Sequence, residues 1–173
     1  MHKKLSHISQ EGSFIFVTFR TQDSIDKYIQ NLSSQNLPNN KLHYLIDKHL
    51  DSSTDGAYLY KEALKLTKEY LLHIESELCE IVAFSIMPNH IHLLIIEKKP
   101  LASIMKQIKG ALAFKLNKEL QREGKFWQKA YFDKTIRDEK HLSTTLEYIQ
   151  NNALKAGLSD ADERFYFNED VVL

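Results

Sequence analysis

Residues 14–19 (Phe-Ile-Phe-Val-Thr-Phe) carry apolar side chains on both faces of an extended segment, the pattern of a central strand covered on two sides. In residues 58–74, Leu59, Ala63, Leu66, Tyr70 and Ile74 recur at spacings of three and four with Lys and Glu between them, which predicts an amphipathic helix. Residues 80–86 and 90–97 read as two more strands. Met87-Pro88-Asn89 between them reads as a tight turn, because proline presets φ and asparagine tolerates the left-handed region, so the two strands form an antiparallel hairpin. Leu101, Met105, Ile108, Leu112 and Leu116 mark a second long helix over residues 101–120, with Gly124 past its end. Residues 131–136 are β-prone. Leu142, Leu146, Ile149 and Ala153 then form the stripe of a third helix that opens near Asp138 and stops near Gly157.

The order β-α-β-β-α-β-α is a split βαβ arrangement: a ferredoxin-like α+β sandwich with an antiparallel four-stranded sheet, helices on one face and a further C-terminal helix. A chain of 173 residues can bury one sizeable core, so residues 1–173 are expected to form a single domain. Residues 22–56 are polar around two short amphipathic pieces and read as an insertion on that domain.

Composition narrows the function. The 23 Lys and Arg are balanced by 23 Asp and Glu, so any nucleic-acid footprint must be local. Cys79 is the single cysteine, which excludes an internal disulfide or a zinc knuckle and suits a reducing compartment. The longest nearly apolar stretch, residues 81–96, is interrupted by Pro88, Asn89, His90 and His92 and falls short of the about 20 apolar residues of a membrane span. Residues 1–10 are polar and lack the apolar core of a secretory leader. A cytoplasmic protein without membrane contact is expected.

His90 and His92 flank Ile91 on a predicted strand, so both imidazoles share one face and can grip one divalent ion; the plainer alternative is an alternating strand whose polar face carries two histidines. On the third helix Tyr148 and Asn152 are i, i+4 neighbours along the flank of the apolar stripe, where they can reach the histidine face; otherwise Tyr148 caps a core. Two imidazoles and an amide oxygen suit a metal, and a phenol is a nucleophile. The set suits phosphoryl transfer, and because a phenolate is also a fair leaving group, a strand break made through it is reversible.

From the first strand almost to the C-terminus the sequence resembles the single-tyrosine HUH transposases, in particular the branch of REP-associated tyrosine transposases. The matching motifs are Met87-Pro88-Asn89-His90-Ile91-His92-Leu93-Leu94, Phe126-Trp127-Gln128, Tyr131-Phe132-Asp133, Ile136-Arg137-Asp138-Glu139, and Glu147-Tyr148-Ile149-Gln150-Asn151-Asn152 before Lys155-Ala156-Gly157-Leu158. The resemblance implies that His90 and His92 are metal ligands for Mg2+ or Mn2+, that Tyr148 bonds to a DNA 5′-phosphate, and that Asn152 takes the place of the third ligand. It also implies a single-stranded DNA hairpin as partner, with the chain acting as a monomer or as a homodimer. Ala153-Leu154 replaces the Pro-Val usual in that family; without the proline the helix can run another turn before Gly157.

Residues 101–139 hold nine Lys and Arg against five acids, a local positive stretch in a neutral chain. Lys106, Lys109, Lys125 and Arg137 are the candidate phosphate contacts and Trp127 a candidate stacking surface for unpaired bases; a solvated helix face and core packing are the competing roles. Gly110 inside the second helix permits close approach by DNA or a neighbouring strand, or serves helix packing. The expected activity is metal-dependent cleavage of single-stranded DNA beside a hairpin, with rejoining or transfer of the end. The alternative is a retired protein that binds hairpins without cutting them. Activity is expected to fall below about pH 6.5, where free imidazoles take up protons.

Overall fold

A computed structural model describes residues 12–74 and 76–171; the polar start at residues 1–10, read above as lacking a leader, lies outside them. Strand β1 (Phe14–Arg20) is central, as its two apolar faces require: Ile15, Val17 and Phe19 enter one core cluster, Phe14 and Phe16 the other. Strands β2 (Cys79–Ile86) and β3 (His90–Glu97) form the predicted hairpin, closed by the Met87 N–H donating to the His90 carbonyl at 2.8 Å. Strand β4 (Phe132–Thr135) pairs with the outer side of β1.

The described sheet has five strands rather than the expected four, in the order β4-β1-β3-β2-β5, and every pairing is antiparallel. The extra strand, β5 (Phe165–Phe167), is three residues long, too short to leave a period in the sequence. The fully buried Arg164, which precedes it, anchors this end. Its guanidinium donates to the carbonyls of Leu59 and Ile86 and to both carboxylate oxygens of Asp160.

Helices α1 (Lys27–Ser34) and α2 (Asn39–Ser52) fill the polar segment and pack on each other through Ile29, Leu32, Ile46 and Leu50. Helices α3 (Lys61–Leu72) and α4 (Leu101–Glu119) cover the sheet face that displays Ile91, Leu93 and Ile95. Helix α5 (Glu139–Lys155) covers the opposite face, with Leu142 and Ile149 against Phe16 and Leu94. Its start is fixed by Asp138, whose Oδ1 accepts from the His141 N–H at 2.8 Å. With no proline after Asn152, α5 continues to Lys155, burying Ala153 and leaving Leu154 exposed, before Gly157 turns the chain at φ 72°. Helix α6 (Ala161–Arg164) is the short element that leads into β5.

A bulge between Ile81 and Ala83 changes the parity of β2, so that Val82 and Ala83 both face α5 and Ser85 pairs beside His92. Gly56 follows α2 at φ 65°, where an added Cβ would lie 2.3 Å from Thr21 Oγ1; only glycine fits the loop that leads α2 back to the sheet.

Candidate metal and nucleophile site

Strand alternation puts His90 and His92 on the α5 face of the sheet, both fully buried, with their Nε2 atoms 3.1 Å apart. Asn89, in the turn before them, sets the first ring. Its Nδ2 donates to the carbonyls of Leu50, Ser53 and Asp55 at 3.2–3.3 Å, which leaves Oδ1 to accept from His90 Nδ1 at 2.8 Å. The His90 proton therefore sits on Nδ1 and Nε2 carries a free lone pair. His92 Nδ1 lies 2.8 Å from Thr18 Oγ1, a hydroxyl that can donate or accept and so suits either tautomer.

Opposite the histidines stands a residue that the sequence reading did not single out. Asp47 of α2 is buried, and its carboxylate and the two imidazole nitrogens all lie within 4.8 Å of one another. Tyr148 donates its phenolic hydrogen to Asp47 Oδ2 at 2.7 Å, and its ring stands edge-on to His92 with centroids 5.1 Å apart. Phe16 packs against both rings. Two further groups of α2 border the site: His43 Nε2 is 3.1 Å from Asp47 Oδ2, and Asp51 Oδ1 is 3.7 Å from His90 Nε2. A signal for this trio was present in the sequence, since His43, Asp47 and Asp51 recur every four residues and share one face of α2. Asn152, one turn beyond Tyr148, is buried, and its Oδ1 has no partner among the described residues; Asp47 Oδ1 is likewise unpartnered.

The donors of His90, His92 and Asp47 fit a divalent cation. Two nitrogens bound about 2.1 Å from one ion at a right angle would be about 3 Å apart, matching the Nε2 separation, and the unpartnered Asp47 Oδ1 is free to ligate. Burial pushes His90 down to about 3 and His92 well below its ordinary value, so both imidazoles are neutral and ready to ligate. This removes the histidines as the cause of an acid limit near 6.5. Burial instead pushes Asp47 up to about 7 and Asp51 up to about 6, while His43 falls to about 4. Burial and then the Asp47 charge hold the Tyr148 phenol above its ordinary value.

The candidate DNA contacts divide. Lys106, Lys125 and Arg137 are exposed. Lys109 is occupied within the chain: its Nζ donates to the carbonyls of Gln128 and Lys129. Trp127 is buried edge-on between Phe19 and Phe126, which makes it a core residue with no open face for a base. Gly110 has nothing within 4 Å of where a Cβ would stand, so among the described residues no strand and no other helix approaches it there.

The sequence profile of the family described as "Transposase IS200 like" matches residues 55–152, a span that ends on Asn152 and begins beyond α2, leaving Asp47 outside it. A Haemophilus influenzae protein bearing the name of a REP-associated tyrosine transposase is 30% identical over 125 residues, covering 65% of this chain and 68% of its own. The crystal structure of a protein described as a transposase from Deinococcus radiodurans shares the fold, with a TM-score of 0.50 and 18% identity over 88% of this chain and 98% of its own. A REP-associated tyrosine transposase bound to a REP hairpin aligns over 91% of this chain and 75% of its own, with 19% identity and a TM-score of 0.46. With more than half of its length inside the family profile, Tyr148 and both histidines included, the chain belongs to the IS200-like transposase family.

Proposed function

We propose that the protein is a metal-dependent endonuclease and strand-transferring transposase that acts in the cytoplasm on single-stranded DNA beside a hairpin. The observation that carries this reading is the position of Tyr148, whose phenol rests on Asp47 while Asp47 shares a ligand-sized space with His90 and His92. A magnesium or manganese ion held by His90, His92, Asp47 and Asn152 would neutralise the scissile phosphate and polarise its P–O bond. Tyr148 attacks phosphorus, its O–P bond forming as the bond to the DNA 3′-oxygen breaks; the phenolic proton passes to Asp47, and the departing 3′-oxygen takes a proton from water. The DNA end is then stored on Tyr148 as a 5′-phosphotyrosine, which a 3′-hydroxyl can reclaim.

Family membership and the REP-associated name of the Haemophilus influenzae relative support a hairpin substrate, and exposed Lys106, Lys125 and Arg137 offer charge to its backbone. Tyr148 lies against His92 of its own chain, which supports a complete site in a single copy. The test is incubation of hairpin-bearing single strands with Mn2+, read on a denaturing gel. Cutting that requires the metal and disappears in His90→Ala, with hairpin binding retained, is the expected result. Hairpins bound yet never cut would replace this reading with that of a hairpin-binding protein.

A further inference from the structure

Arg20 ends β1 directly opposite His90 and faces a cavity of about 300 Å³ between α2 and the chain entering β4. Its Nε is buried with no hydrogen-bond partner, and among the described residues no ion pair engages its guanidinium. Burial pulls the group below its ordinary value and the nearby Asp47 charge opposes that fall, but a guanidinium stays charged. A cation held in this way beside a site for phosphoryl transfer has the Asp47 charge nearby but no anion hydrogen-bonded to it among the described residues, and its planar fork matches a phosphate. The rest of the wall suits a base: Leu42, Ile46 and Tyr131 are apolar or aromatic, and Ser33 and Asn39 add groups able to read a base edge.

A second cavity, of about 320 Å³, holds Tyr148 and Lys134. The two share a partition made by His43 and Phe132, whose rings stack at 3.7 Å and 4°. Asp47 lies on the Arg20 side and its partner Tyr148 on the other, so a strand presented to Tyr148 has a pocket on the far side of the partition for the next residue.

We propose that the Arg20 cavity binds one nucleotide of the single strand, next to the phosphate that Tyr148 attacks. The guanidinium takes that nucleotide's phosphate, and the base lies against Leu42, Ile46 and Tyr131. A volume of about 300 Å³ is at the lower end for small-ligand pockets and admits one nucleotide but no base pair, which selects unpaired DNA. The proposal rests on the cleavage reading above, but its test needs no cutting.

The full-length protein with Mg2+ is titrated with deoxynucleoside 5′-monophosphates, with the corresponding nucleosides and with inorganic phosphate, while the Arg20 Nε–H signal is followed by 15N NMR. The nucleotides are expected to shift that signal at concentrations where nucleosides and phosphate do not. Arg20→Gln should weaken nucleotide binding at least tenfold and lower the salt slope of single-strand binding by about one, with Arg20→Lys in between. An unmoved Arg20 signal, equal binding of phosphate alone or of nucleosides, or wild-type nucleotide affinity in a folded Arg20→Gln protein would each overturn the proposal. Absence of strand cleavage beside a nucleotide-shifted Arg20 signal would sink the cleavage reading alone.

Discussion

The Tyr148 hydroxyl and Asp47 Oδ2 are 2.7 Å apart although 101 positions separate them in the chain, so a hydrogen bond ties α5 to α2. In the ion-free protein this bond leaves a carboxylate buried without full compensation. Asp47→Asn should therefore raise the melting temperature measured with chelator at pH 8 by several degrees, while reducing Mn2+ affinity at least tenfold and abolishing cutting. Calorimetric titration and thermal melts check both halves. Unchanged metal affinity would remove Asp47 from the ligand set.

The buried groups also set the pH dependence of stability. Unfolded histidines take up protons below about 6.5, but folded His43, His90 and His92 resist until about 4 or lower, so they make stability rise with pH between about 4 and 6.5. Asp47 and Asp51 act oppositely. Their folded values lie at about 7 and about 6, above the unfolded 3.8, so the folded state binds more protons and they make stability fall as pH climbs through that window. Three imidazoles outweigh two carboxylates until about pH 7, where the remaining proton uptake of the unfolded histidines and that of folded Asp47 nearly cancel. Melts in chelator should thus show stability rising from about pH 4 and flattening above about pH 7, and Asp47→Asn, which removes an opposing contribution, should make that rise steeper. An Asp47→Asn profile no steeper than that of the wild type between about pH 4 and 7 would contradict this assignment.

Asn89 donates to three carbonyls and holds the His90 proton on Nδ1, so its amide joins the end of α2 to the candidate ligand His90. Asn89→Ala should destabilise the protein by about 1–3 kcal/mol, the cost of leaving buried groups unpaired, and reduce Mn2+ affinity by about 10- to 100-fold. Denaturant titration gives the first number and metal titration the second. Lost stability with undiminished metal affinity would reduce Asn89 to a turn residue.

Much of this site was legible in the sequence because its residues obey local periods. Alternation alone puts His90 and His92 on one face of β3, and helical spacing puts Tyr148 and Asn152 on one flank of α5. The central strand, the hairpin and the three long helices followed from the same periods. Asp47 was not legible as a partner of either pair, because nothing within α2 says that the helix closes over the end of β3; that depends on Asn89 reaching the carbonyls at the end of α2 and on the Gly56 turn. Trp127 misled for a related reason: an aromatic in a basic stretch carries the same signal whether it stacks on a base or, as here, packs edge-on against Phe19. Strand β5 has too few residues for any period, and its position depends on the buried Arg164.

The central claim is that Tyr148 is the nucleophile, and capture of its covalent bond to DNA tests it most directly. The protein is incubated with Mn2+ and a hairpin-bearing single strand that it binds, then denatured, digested and mapped by mass spectrometry. A 5′-phosphonucleotide on Tyr148, absent from Tyr148→Phe and from chelated samples, is the predicted result. Strand cleavage that persists in Tyr148→Phe, or an adduct carried by another residue, would contradict it.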